Sequence, residues 1–500
     1  MSMPAEHMRP CATLAELLHG YAAAPSVPVG GIASDSRRVG KGDLFLAVQG
    51  LRSHGVDFVA QAREAGACAI AWDSSTGRAP ADVGIPCIAV SNLAEELGEI
   101  ANRFFGWPSR QLSVTGTTGT NGKTTVAWMI AQARAHVGGR CAYLGTLGHG
   151  IDEVEVDSSL TTPPVIELHE YLAGFVAGGA QYASIEVSSH ALSQGRVDGV
   201  DFDTAVFTNL TRDHLDYHPD MDEYFASKAM LFIDCAPRHR IVNVDSDYGR
   251  QLAAMCGPEV VTIATRGDGS VTGRPSLYVR SVEATGRGSE VGFGGDWGAG
   301  RFRLNMPGDF NVANAIAVLA QLLIEGEALA EACDVMSRLQ APPGRMQRVT
   351  GQGPAVYIDY AHTPNALENA LRALRAHCQG RLWCVFGCGG DRDRGKRPEM
   401  GSVAERHADR LVLTNDNPRS EVPGRIIDEI RGGLARPERA TVIEDRSAAI
   451  AWAIAAAAPE DALLIAGKGH EAYQEIDGQR IAISDHAIAD GALAARGGAQ

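Results

Sequence analysis

The chain has 500 residues, too many for one ordinary hydrophobic core, and this length favours about three domains. Hydrophobic residues make up 45%, enough to fill such cores, which excludes a disordered or fibrous chain. The formal net charge of -15 argues against a nucleic-acid partner held by bulk electrostatics and leaves room for local cationic pockets.

The opening MSMPAEHMRPCATLAELLHGY lacks the basic flank, apolar core and cleavage site of a signal peptide. Helical periodicity over Phe58–Gly66 precedes the strand-like CAIAW, and PCIAV precedes a helix around Leu93–Phe104. Pro108 in WPSR disfavours helix at Trp107, so a first domain is expected over 1–108. A second region, 109–341, opens with VTGTTGTNGKTT and continues through the strands YASIEVS, TAVFTNL and RIVNV. SLYVRSV, SEVGFGG and GRFRLNM read as hairpins at a sheet edge, with disorder as the rival. Helices are expected around 312–324 and 327–339, ending at APPGRM. In the third region, 342–500, AVYIDYAH, RLWCVFG, RLVLTND and DALLIAGKGHE alternate with helices. Such buried runs predict a mostly parallel α/β sheet, with ligands beyond the carboxyl ends of its strands.

No apolar run reaches the length of a spanning helix, so no membrane insertion is expected. The ten cysteines contain no CxxC pair and read as reduced core thiols, which fits the cytoplasm. With no identifiable hydrophobic interface, a monomer is the default.

The run Gly119-Thr120-Asn121-Gly122-Lys123-Thr124 has the chemistry of a phosphate loop. Glycines admit backbone amides to a polyanion, and a following helix aims its unpaired amides at it. Lys123 supplies charge and Thr124 a hydroxyl for Mg²⁺. A strict Walker A pattern requires glycine where Thr117 stands. Glu186 and His214 follow strands and suit metal-assisted phosphoryl transfer, or are satisfied polar residues at strand ends. Lys228, on a helix in EYFASKAMLF, reads by itself as a solvated or snorkelling lysine.

A series of segments then resembles, in order, the Mur ligase family: DSRRVGKGDLFLAVQG at 35–50, TGTNGKTT at 118–125, TTP at 161–163, EVSSHALSQGRV at 186–197 and TNLTRDHLDYH at 208–218. PGDFNVANAIA at 307–317, PPGRM at 342–346, DYAHTP at 359–364, GCGGDRDRGKRPEM at 387–400, DNPR at 416–419 and GKGHE at 467–471 complete it. The resemblance covers nearly the whole chain. It implies three α/β domains: a uridine-nucleotide-binding domain, a central P-loop ATPase-like parallel sheet and a Rossmann-like carboxyl-terminal domain.

The resemblance further implies an ATP-dependent ligase forming an amide through an acyl phosphate. It would join meso-2,6-diaminopimelate, or alternatively L-lysine, to the D-glutamate γ-carboxylate of UDP-N-acetylmuramoyl-L-alanyl-D-glutamate. Ser34, Ser36, Leu51, Arg52 and Ser53 would meet the uridine nucleotide. Thr161, Thr162, Ser188, Gln194 and Arg196 would hold the muramoyl-peptide and its phosphates. Gly119 through Thr125 would cradle ATP, with Asn314, Arg345 and Asp359 around the nucleotide. Thr124, Glu186, His214 and Lys228 would hold Mg²⁺, Lys228 as a CO₂-derived carbamate. Arg392, Asp416, Asn417, Pro418, Arg419, Gly467 and Glu471 would form a zwitterion pocket: arginines and Asn417 for the distal carboxylate, Asp416 and Glu471 for the ammonium. Two departures from the family pattern stand out. The TGTTGT repeat at 115–120 suggests three extra residues or an unusual strand end, and Leu160 replaces the family's Asn before the Thr pair.

Overall fold

The computed structural model describes residues 12–50, 53–155, 160–266, 273–286 and 288–497. They divide into two compact units, one built from the chain up to 123 with 134–242 and 246–260, the other from 124–133, 243–245 and 261 onward.

The first unit begins with a four-stranded parallel sheet, Gly31–Ala33, Asp43–Ala47, Ala69–Asp73 and Cys87–Val90, in chain order. Helix Leu97–Phe105 is amphipathic and buries Leu97, Ile100, Ala101 and Phe104. It stops at Gly106, whose φ of +75° suits a left-handed cap, and Pro108 opens a short 3-10 turn instead of prolonging the helix. This unit also contributes six neighbouring strands of a ten-stranded sheet, in the order His239–Asn243, Thr204–Phe207, Ser113–Thr118, Tyr182–Glu186, Cys141–Gly145 and Gly148–Ile151. Only the last pair is antiparallel, so the loops after the other strands gather at one edge.

In the second unit, Ser276–Thr285, Gly288–Gly295 and Gly300–Leu304 pair antiparallel, as the hairpin reading expects. Helices Asp309–Ile324 and Leu329–Arg338 precede a six-stranded sheet. Its order is Gln347–Val349, Ala355–Asp359, Ala462–Ala466, Leu382–Phe386, Arg410–Leu413 and Ala440–Val442, with only the first strand antiparallel. Period-two alternation assigns its side chains. Tyr357, Cys384 and Phe386 join one apolar cluster with helices Pro364–Arg375, Lys396–His407 and Pro423–Arg431. Val356, Trp383 and Val385 join the other, with Arg446–Ala456 and Asp485–Gly497. Each fully buried aliphatic or aromatic side chain contributes roughly 1.5–3 kcal/mol, so both faces must stay covered.

No described helix is long and apolar enough to cross a membrane. The described cysteines are all free.

Candidate active site

The TGTTGT repeat forms part of a regular strand. Ser113–Thr117 pairs in unbroken parallel register with Tyr182–Glu186, and Thr115–Thr118 with Thr204–Phe207. Residues 113–118 thus form an unbroken strand that leads into the phosphate loop. The phosphate loop then runs from Gly119 to helix Lys123–His136, which carries Thr124 and Thr125. Its shape is held from the neighbouring strand end. Thr208 Oγ1 donates to Asn121 O at 2.6 Å, and Asn121 N donates to Asn209 Oδ1 at 3.0 Å. Tyr224 shares a 3.1 Å hydrogen bond with Thr120 Oγ1. Gly119 has φ +147° and faces the Thr208 hydroxyl where a Cβ would stand, so glycine is required here.

Lys123 Nζ folds back to donate to the carbonyls of Gly119 at 2.8 Å and Thr120 at 2.9 Å. From helix Met221–Ile233, Lys228 Nζ reaches the same Gly119 carbonyl at 2.9 Å. Lys228 is 1% exposed, so the snorkelling reading fails. Burial, reinforced by the charge of Lys123 and opposed by Asp213, holds its pKa well below the usual lysine value. Burial favours the neutral amine, which is the form that reacts with an electrophile such as CO₂.

Glu186 ends strand Tyr182–Glu186 and is fully buried. Tyr143 Oη donates to its Oε1 at 2.5 Å, Thr146 N to the same oxygen at 2.8 Å, and Thr146 Oγ1 to Oε2 at 3.1 Å. Gly145 lies so close that a Cβ there would strike the carboxylate. The expected muramoyl-peptide residues converge around this strand end. Thr162 Oγ1 donates to Glu186 O at 2.8 Å and accepts from Ser188 N at 3.2 Å. Arg196 Nη1 donates to Thr162 O at 2.9 Å, and its Nη2 to Gln194 Oε1 at 2.6 Å. Thr161 Oγ1 lies 3.2 Å from Thr146 Oγ1. Leu160 is 41% exposed and packs into no core.

His214 holds a left-handed backbone, φ +54°, uncommon for a residue with a Cβ and typical of functional sites. Its ring lies 5.0 Å from His190 and 5.9 Å from Tyr224. Burial lowers its pKa, opposed by Asp213 and assisted by Lys123 and Lys228. A neutral imidazole and a carboxylate accepting hydrogen bonds are donor types suited to a divalent cation. Among the described residues, no group of three or more His, Cys, Asp and Glu side chains is arranged for a metal.

Ser34 and Ser36 follow strand Gly31–Ala33, and Ser53 follows the adjacent Asp43–Ala47, all beyond carboxyl ends. Ser36 Oγ donates to Gln61 Oε1 at 3.0 Å. Leu51 and Arg52 lie outside the described residues.

In the second unit, Asn314 is buried in helix Asp309–Ile324 and donates to Asn311 Oδ1 at 3.3 Å. Arg345 stacks 4.6 Å over Tyr360, and its buried Nε has no hydrogen-bond partner among the described residues, a donor left for an anion. Asp359 uses both oxygens on backbone, accepting from Met346 N at 2.7 Å and Ala361 N at 2.9 Å. Burial raises its pKa, opposed by Arg345. It shapes the PPGRM and DYAHTP turns.

At the DNPR tip, Arg419 Nη1 and the Arg392 stem both flank Gly389. Arg392 is exposed and makes no ion pair or hydrogen bond among the described residues. Asp416 Oδ1 accepts from Asn417 N at 2.7 Å, and its Oδ2 sits where a side chain on Gly467 would be. Pro418 O accepts from Glu421 N at 3.0 Å. Asn417 Nδ2 donates to Glu471 Oε2 at 2.9 Å. Glu471 is already engaged by Lys468, whose Nζ lies 3.0 Å from Oε2 and donates to Asn417 Oδ1 at 2.9 Å. The sequence reading did not single out Lys468, Asn209, Tyr224 or Tyr143. Lys468, Asn209 and Tyr224 stand inside quoted segments, which was the available signal, while Tyr143 carried none.

Family models match along the chain: the "Mur ligase family, catalytic domain" over 28–105, the "Mur ligase middle domain" over 117–322, and the "Mur ligase, glutamate ligase domain" over 344–469. The chain is 47% identical to UDP-N-acetylmuramoyl-L-alanyl-D-glutamate--2,6-diaminopimelate ligase of Pseudomonas putida, across 92% of this chain and 94% of the relative. It is 46% identical to the ligase of that name from Chromobacterium violaceum, across 94% and 95%. A solved structure of a ligase with that name superposes with TM-score 0.72 at 31% identity, covering 98% of this chain and all of the other (100%). The Acinetobacter baumannii UDP-N-acetylmuramoylalanyl-D-glutamyl-2,6-diaminopimelate--D-alanyl-D-alanyl ligase, at 19% identity, TM-score 0.63 and coverage of 94% and 97%, shares the fold. With its order of motifs, its phosphate loop and these matches, the chain belongs to the Mur ligase family.

Proposed function

We propose that this chain is the ATP-dependent ligase that joins meso-2,6-diaminopimelate to the D-glutamate γ-carboxylate of UDP-N-acetylmuramoyl-L-alanyl-D-glutamate, with release of ADP and phosphate. The observation that carries the choice of amino acid is the tip where Arg392 and Arg419 flank Gly389 beside Asp416. A carboxylate at the far end of the amino acid gives these guanidinium groups a partner, whereas the lone ammonium of L-lysine would be repelled.

A carboxylate does not condense with an amine in water, because oxide is a poor leaving group. Phosphorylation by ATP gives an acyl phosphate; the amine attacks, a tetrahedral intermediate forms and phosphate leaves. Gly119 through Thr125 cradle the phosphates, and Lys123 turns from the Gly119 and Thr120 carbonyls towards the transferring oxygens. Asn314, Arg345 and Asp359 serve the nucleotide, Arg345 through its unpartnered Nε. Thr161, Thr162, Ser188, Gln194 and Arg196 hold the acceptor peptide, and Ser34, Ser36 and Leu51–Ser53 the uridine end. Mg²⁺, held by Thr124, Glu186, His214 and carbamylated Lys228, would neutralise developing phosphate charge. A monomeric state completes the reading, with domains over 1–108, 109–341 and 342–500, supported by the family matches, and a cytoplasmic location, supported by the free described cysteines.

The test is phosphate release with ATP, Mg²⁺ and UDP-N-acetylmuramoyl-L-alanyl-D-glutamate, comparing meso-diaminopimelate with L-lysine and weighing the product by mass spectrometry. Tripeptide product with diaminopimelate is expected. Product with lysine instead would refute the pocket reading, and none with either would refute the ligase.

A further inference from the structure

Arg419 is held in place by a hairpin that none of the sequence motifs includes. Tyr473–Ile476 and Gln479–Ala482 pair antiparallel across a turn at Asp477 and Gly478, both with positive φ. The hairpin edge docks on the DNPR segment by its main chain. Arg419 N donates to Glu475 O at 2.9 Å, and Asp477 N to Arg419 O at 2.8 Å. Gln474 Nε2 donates to Asp416 O at 2.6 Å, and Glu475 N to Asn417 Oδ1 at 3.0 Å. Asp416, Asn417 and Arg419 are thus each tied to the same short strand. Arg419 itself sits at φ +52°, a conformation that a long side chain adopts only when its surroundings fix it.

The side chain is fixed as well. Arg419 Nη1 donates to Gly390 O at 2.8 Å, and Nε faces Glu475 Oε2 at 3.2 Å. A guanidinium carries five N–H groups and no acceptor. The two contacts immobilise the group at Nε and at Nη1 and leave Nη2 without a protein acceptor among the described residues. An arginine stem has rotamer freedom that must be lost before it grips a carboxylate, and here that loss precedes binding.

Resting on the diaminopimelate reading, we infer that Glu475 is a positioning residue: its carboxylate anchors Arg419 so that the remaining guanidinium N–H groups meet the distal carboxylate of the incoming amino acid. Glu475 acts through Arg419 and does not touch the reacting atoms. Its effect therefore falls on amino-acid affinity and leaves the chemical steps alone.

The experiment measures steady-state constants for wild type, Glu475→Ala, Glu475→Gln, Arg419→Ala and the double variant with meso-diaminopimelate. Glu475→Ala should raise KM for the amino acid about two- to fivefold, the scale of a half-exposed ion pair. The kcat and the KM values for ATP and the UDP-linked substrate should hold. Glu475→Gln keeps an acceptor oxygen and should recover part of the loss. In the Arg419→Ala background, Glu475→Ala should add nothing, because its target is gone. An unchanged KM in Glu475→Ala, or an equal rise in both backgrounds, would overturn the inference. Absence of product from wild type would instead remove the diaminopimelate reading beneath it, so the two failures are told apart.

Discussion

Lys228 is almost fully buried, and its Nζ shares the Gly119 carbonyl with Lys123. Converting one of two converging amines into an anion relieves their repulsion and supplies an oxygen ligand. Lys228→Ala should therefore fold, keep a normal far-UV spectrum and lose activity by at least about 100-fold, on the scale of disrupted metal-site ligation. Added short carboxylates should restore part of it. Native mass spectrometry of the wild type should show a CO₂ adduct that disappears in the variant and on acidification, since only the neutral amine reacts. An active Lys228→Ala enzyme would sink the carbamate reading. Leu160 gives the opposite kind of prediction. Its side chain is exposed, so Leu160→Asn should leave the melting temperature alone. One regained hydrogen bond to the UDP-linked substrate, about 1 kcal/mol, corresponds to a KM roughly fivefold lower. An unchanged KM would mean that the missing contact is supplied elsewhere.

Strand ends decide what the elements do. Arg446 and Asp485 are both fully buried, at the starts of helices Arg446–Ala456 and Asp485–Gly497. The guanidinium donates to both Asp485 oxygens at 2.7 Å, to Asn415 O at 3.1 Å and to Ala466 O at 3.0 Å. It thus fastens two helices to the ends of the strands that present DNPR and GKGHE. Asp485→Leu alone strands a buried cation and should cost roughly 3–5 kcal/mol in urea unfolding, while Arg446→Met with Asp485→Leu should recover much of that. A single variant within 1 kcal/mol of wild type, on the scale of about one exposed pair, would deny the pair this role.

The main strands and helices were legible because apolar runs of strand length alternate with helical periodicity. Ala355–Asp359, Leu382–Phe386 and Ala462–Ala466 fall within the segments expected of them. The hairpin over 473–482 was not read, because its side chains are half-exposed or exposed and leave no buried pattern, only the Asp477-Gly478 turn signal. Lys468 escaped because a lysine is normally solvated, and burial in a closed triangle with Asn417 and Glu471 has no local signature. The positions at Glu186 and Lys228 were readable as types, but the Tyr143 and Gly119 partners depend on packing between distant segments.

Across the molecule, burial lowers the pKa of His169, His190, His214, His218, His239, His362 and His470, with His190 and His470 falling to about 4. An unfolded histidine binds its proton near pH 6.5, roughly the free value, whereas these native ones take it up at lower pH. Between the two values the unfolded state holds more protons, so stability rises with pH and falls on acidification. The melting temperature should drop steadily from pH 6.5 towards about 4, with proton uptake on unfolding in calorimetry. A melting temperature that holds or rises through that window would contradict it.

The hairpin that fixes Arg419 has a consequence for how selectivity changes over generations. Its strands lie at the surface, joined to the pocket by two main-chain hydrogen bonds and by the side chains of Gln474 and Glu475. Exchanging this short segment alters what flanks the guanidinium without repacking the sheet beneath. Choice of amino acid can therefore change through exchanges in this surface segment that leave the loop over 119–125 untouched.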